Sequence, residues 1–124
     1  MAVSDKPPVI RSEPMNIDDA ISLIVRETMD DDGLLVRARC AMDVPLEPFA
    51  RINDALDHLA TAMRDHGTLD RNFVNALIVL CYEIPDYVDR FRAPDTSEYP
   101  IRETAGKTAF KVLEFIEGWN RPDT

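Results

Sequence analysis

The sequence predicts an all-α, single-domain bundle of five or six helices, and three observations carry that expectation. Apolar residues recur three and four positions apart through most of the chain, as they do along one face of a helix. The stretches with this spacing are separated by short runs rich in proline, glycine and aspartate, which stop helices. Strand-like alternation occurs once, between Leu34 and Val44, and a lone strand would leave its backbone groups unpaired. A length of 124 residues fits one domain, and 45% hydrophobic with 30% charged residues is an ordinary globular balance. No internal repeat is visible.

Residues 1–15 carry Pro7, Pro8 and Pro14 without apolar periodicity, which predicts a flexible arm ahead of a helical domain over residues 16–121 and a short tail over 122–124. Asn16 is placed to cap a first helix running to about Asp30. Asp18 and Asp19 complement its dipole, and Ile17, Ala20, Ile21, Ile24 and Thr28 recur at helical spacing. The run Asp30, Asp31, Asp32 then meets Gly33, a stop signal. Between Leu34 and Val44, strand alternation competes with a helix face, and the leucine, arginine, alanine and methionine content decides for a short helix. Pro48 suits the first turn of the next helix, where its missing N–H is not needed. There Phe49, Ile52, Leu56, Leu59 and Met63 give the clearest amphipathic pattern in the chain.

Gly67 ends that helix, and Thr68 or Asp70 is placed to cap the following one. It carries Phe73, Val74, Leu77, Ile78, Val79, Leu80, Cys81, Tyr82 and Ile84, apolar almost all round, which predicts the central helix. Pro85 stops or kinks it, with further turns over Asp86 to Arg92 and a loop through Pro94, Asp95, Thr96, Ser97 and Pro100. The last helix starts near Ile101 and is expected to bury Ala105, Thr108 or Ala109, Val112, Phe115, Ile116 and Trp119. Short connections favour antiparallel neighbours.

The charge balance of 14 basic against 23 acidic residues gives a net −9, which disfavours phosphate backbones and anionic membranes and favours basic partners. No apolar run reaches the roughly 20 residues of a spanning helix, and the start of the chain lacks the order of a secretory signal. Cys40 and Cys81 sit in apolar contexts. A cytoplasmic protein with reduced thiols is therefore expected.

No complete catalytic motif is present. Gly106, Lys107 and Thr108 resemble the tail of a phosphate-binding loop, but Ile101 stands where that loop needs a glycine. Glu27 with Asp30, Glu83 with Asp86, and Glu114 with Glu117 are carboxylate pairs at helical spacing. Their order differs from the E-x-x-E then E-x-x-D arrangement of magnesium-dependent all-α pyrophosphohydrolases, and such pairs arise readily in an acidic chain. His58 four residues after Asp54, and His66 at a helix end, have ordinary helix-stabilising roles. The Asp30–Asp32 run lacks the alternate spacing of a calcium loop. The chain is thus expected to be no enzyme, with no cofactor and no metal.

The segment from Tyr82 to Tyr99 concentrates four of the nine aromatic residues among five acids. Aromatic anchors rimmed by carboxylates suit a basic protein partner, because rings supply buried area while acids steer encounter. The candidate partner-binding residues are Glu83, Asp86, Tyr87, Asp89, Phe91, Asp95, Glu98 and Tyr99. The composition points to a small acidic binding protein, an immunity-like or antitoxin-like inhibitor of a basic protein such as a toxin domain. The alternatives are a helical adaptor or regulatory subunit that self-associates as a homodimer, and a magnesium-dependent all-α hydrolase using paired carboxylates.

Overall fold

Asn16 opens the first helix as its spacing predicts: the side chain accepts a 2.8 Å hydrogen bond from the Asp19 N–H and so satisfies a donor that the helix itself cannot. This computed structural model describes residues 16–40, 43–63, 68–91 and 95–119. The arm expected over residues 1–15, the tail over 122–124, His66 and the Gly67 stop lie outside them. The first helix, α1, spans Ile17–Met29 and buries Ala20, Ile24 and Thr28. Gly33 follows at a point where space, and not backbone angle, demands glycine. A Cβ there would stand 2.8 Å from the Glu27 carbonyl oxygen, so any side chain would push α1 and its successor apart.

The tie over Leu34–Val44 resolves as helix. A six-residue α2 spans Leu34–Arg39, and Val44 is buried in the extended segment behind it. Helix α3, Glu47–Ala62, has Pro48 in its first turn and buries Phe49, Ile52, Leu56 and Leu59, with Met63 buried at its end. Helix α4, Arg71–Ile78, starts at Asp70, whose carboxylate accepts from the Asn72 and Phe73 N–H groups at 3.0 and 3.3 Å.

Pro85 does not stop this helix. A π-helical turn over Val79–Glu83 carries the chain into α5, Ile84–Phe91, and the Ile84 N–H reaches the Val79 carbonyl five residues back. In a regular α-helix the proline ring would press on the Cys81 carbonyl and leave it without a donor. The wider turn absorbs that conflict and keeps one continuous rod from Arg71 to Phe91. Helix α6 spans Ile101–Gly118. The five or six helices expected are therefore four long ones, with the small α2 beside them, and among the described residues there is no strand.

The long helices form a ring around one core. Helix α1 packs on α3 and on α4, while α6 packs on α3 and on the π turn and α5. Two cross-helix bonds set direction: Thr108 donates to Asn53 at 2.7 Å, and Lys111 pairs with Asp57 at 2.7 Å. They advance together along both helices, so α3 and α6 run parallel. The rod is antiparallel to α6, with Phe73 edge-on to Phe115 at a ring distance of 5.8 Å near one end and Arg102 3.5 Å from Asp89 near the other. Consecutive α3 and α4 sit across the diagonal, contrary to the expectation that short connections make neighbours. The reason is that each carries an apolar face broad enough to serve both α1 and α6.

Two burial expectations are corrected. The rod is not buried all round, since Ile78 and Tyr82 face outward from it. Ile116 is not in the core either; Phe115 and Val112 turn inward, and Ile116 is left partly exposed. The remaining expected core residues, Phe49, Ile52, Leu56, Leu59, Leu77, Leu80 and Val112, lie together in one cluster.

Candidate partner-binding surface

The rod presents Ile78, Tyr82 and Asp86 outward along one line. Tyr82, within the π turn over Val79–Glu83, is 74% exposed, which is unusual for so large a ring. Tyr82, Glu83, Asp86 and Tyr87 line a shallow groove of about 320 Å3. Asp86 is exposed and pairs with Arg90 one turn on at 3.1 Å, whereas Glu83 lies 3.8 Å from Arg39 of α2. Tyr87 is half-buried against the core. An outward aromatic ring thus has two carboxylates beside it, each with a solvent-exposed cation partner that a tighter-binding cation can displace.

The other candidate residues are not brought to that groove. The Asp95 carboxylate accepts from the Arg102 and Glu103 N–H groups at 2.7 and 3.0 Å, capping the start of α6. Asp89 holds Arg102 through its carboxylate at 3.5 Å and its carbonyl at 3.3 Å. Glu98 is exposed in the loop beyond. Phe91 ends α5, and its side chain lies outside the described residues.

Tyr99, expected as an anchor, is turned inward. Its hydroxyl donates to the Val44 carbonyl at 2.9 Å and accepts from the Val44 N–H at 3.1 Å, so one side chain satisfies both backbone groups of a buried residue. Thr96 holds the tyrosine from behind, its Oγ1 accepting from the Tyr99 N–H at 3.0 Å. Tyr99 also forms one wall of a larger concavity of about 560 Å3 with Arg37, Asp43, Val44, Pro45, Leu46 and Glu47. The Arg37 guanidinium there donates to the carbonyls of Asp32 and Asp43 at 3.1 and 3.3 Å. Its charge serves the loop and not the cavity.

Tyr82 is the functional candidate that sequence spacing passed over. The available signal was its position one turn from both Ile78 and Asp86 on a single line of the helix, but the apolar run around it reads as core.

The carboxylate pairs are dispersed. Glu27 is held by Arg51 in a two-pronged contact at 2.8 and 3.4 Å, a bond that raises the arginine's already high pKa. Glu114 and Glu117 point outward from α6. Among the described residues no three His, Cys, Asp or Glu side chains gather where a metal ion could be held. Gly106, Lys107 and Thr108 lie inside α6, where their N–H groups serve the helix, and Thr108 is buried with its hydroxyl on Asn53. Cys40 is exposed and Cys81 half-buried, and burial pushes the Cys81 thiol up, which keeps it protonated and a poor nucleophile at neutral pH. No helix among the described residues is long and apolar enough to cross a membrane.

The chain matches no protein-family model, no curated protein and no solved structure.

Proposed function

We propose that this protein is an acidic binding protein that inhibits a basic protein partner, in the manner of an immunity protein or antitoxin, with the Tyr82 groove as its contact surface. The observation that carries this reading is the outward ring of Tyr82 flanked by Glu83 and Asp86, on a chain of net charge −9. An exposed tyrosine gives a large contact area for little entropy, and the surrounding negative field speeds encounter with a cationic surface. Compared with the segment read from sequence, the surface contracts to Tyr82, Glu83, Asp86 and Tyr87. Asp95 and Tyr99 are spent on the fold.

The test is to immobilise the chain, capture its partner from host extract, and measure kinetics with that partner. Tyr82→Ala is expected to speed dissociation, at a cost of about 2 kcal/mol if it is the anchor. Asp86→Lys is expected to slow association and flatten its salt dependence. Reversal of Asp18 and Asp19, exposed on the first turn of α1, controls for net charge. Capture of no basic protein overturns the reading, and equal loss from both sets of reversals removes the groove from it.

A further inference from the structure

Helix α6 carries a second outward apolar line, and its charge pattern states what fits it. Phe110 is 61% exposed and Leu113 49%, with Ile116 at 43% beside them. Lys111 marks the edge of α6 that faces α3 through Asp57, and Arg102 marks the edge that faces α5 through Asp89. Ile116 lies about four turns from Arg102 on that second edge. Phe110 falls between the two edges, on the side of α6 opposite Val112, Thr108 and Phe115, and points straight away from the bundle. Glu103, Gly106, Phe110, Leu113 and Glu117 follow one another at steps of three and four, the spacing of a two-helix coil's seam, with Phe110 and Leu113 as its apolar pair.

We propose that two copies of this chain associate through α6, antiparallel about a two-fold axis between Phe110 and Leu113. This inference is independent of the basic-partner reading. Helix α6 has three cations, Arg102, Lys107 and Lys111, against three anions, Glu103, Glu114 and Glu117. It is therefore electrically balanced in a chain of net charge −9, and two copies meet here without the repulsion that opposes them elsewhere.

The pairing is self-complementary, as a two-fold interface requires. Phe110 of each copy packs on Leu113 of the other, and Ile116 extends the apolar contact on one flank. Lys107 of each faces Glu114 of the other on the opposite flank, twice by symmetry. Glu117 comes opposite Gly106, where nothing beyond the glycine, its chain neighbours and the helix's own backbone lies within 4 Å of a Cβ position, so the absent side chain leaves room for the glutamate. Parallel pairing fails the same count, because it sets Glu103 on Glu103, Glu117 on Glu117 and Arg102 beside Lys107. One helix pair is a small interface, so the dimer dissociates on dilution.

Sedimentation velocity on the full chain over a dilution series tests this. The expected result is a reversible monomer–dimer equilibrium, with Phe110→Ser weakening it by about thirtyfold, an anchor's share. Lys107→Glu alone and Glu114→Lys alone each weaken the dimer, since each places like charges across the seam. Mixing the two variants restores dimer as a heterodimer, and so does combining both substitutions in one chain. All these positions are exposed, so unchanged far-ultraviolet circular dichroism checks the fold. A chain that stays monomeric at every concentration, or a dimer indifferent to Phe110→Ser, overturns the proposal. Failure of the mixed pair to re-form dimer overturns the antiparallel arrangement.

Discussion

Leu56→Ala or Leu77→Ala is expected to lower the unfolding free energy by about 2 to 5 kcal/mol, a large fraction of what a domain of this size possesses. Both side chains are about 1% exposed and belong to the single core cluster. They come from α3 and from the rod, helices across the diagonal from each other, so each fills the space that α1 and α6 jointly enclose. Truncation removes apolar contact and leaves a cavity that rigid neighbours on both sides cannot collapse to fill. Urea unfolding followed by circular dichroism measures the effect, with the slope unchanged and the midpoint lowered. A loss under about 0.5 kcal/mol at both positions would mean that the ring does not close around them.

Tyr99→Phe is expected to cost about 1 to 3 kcal/mol, the penalty for stripping hydrogen-bond partners from a buried backbone group. The phenyl ring keeps the packing, so the loss reports the hydroxyl alone. Val44 is fully buried, and both its N–H and its carbonyl use that one oxygen. Tyr82→Phe is the matched control: it removes the same atom from an exposed ring and is expected to leave stability unchanged. The two tyrosines stand in one segment of sequence and have opposite roles. Denaturation midpoints of the two variants side by side separate them, and equal midpoints would return Tyr99 to the surface.

What the sequence makes legible is what local physics decides. The steps from Phe49 to Met63 place one face of α3 in the core whatever lies opposite; Asn16 and Asp70 mark helix starts through bonds to their own next turn, and Pro48 marks one because its missing N–H is not needed there. Tyr99 was illegible because its partner is 55 residues away, and nothing near it in sequence announces the pairing. Phe115 and Ile116 are adjacent and equally apolar; which of them turns inward depends on where α3 and the rod bracket α6. Pro85 reads as a stop or kink because its effect on an α-helix is well defined, but the chain has the option of a wider turn. Tyr82 lies on the outward line of Ile78 and Asp86, but the apolar run around it reads as core, so the candidate groove was partly legible, in Glu83, Asp86 and Tyr87, and lacked its anchor.

The diagonal placement of α3 and α4 has a consequence for the order in which the chain can assemble as it leaves the ribosome. Helices α1, α3 and α4 emerge first, and α1 can gather the other two, but they make an open trough and not a closed ring. The flank of α3 that receives Thr108 and the ring of Phe73 that receives Phe115 wait for α6. Until Gly118 has been made, apolar surface stays open to solvent and to other nascent chains. Vectorial synthesis therefore delays this burial until α6 is made. A product cut short before Ile101 is expected to be a client for chaperones and proteases.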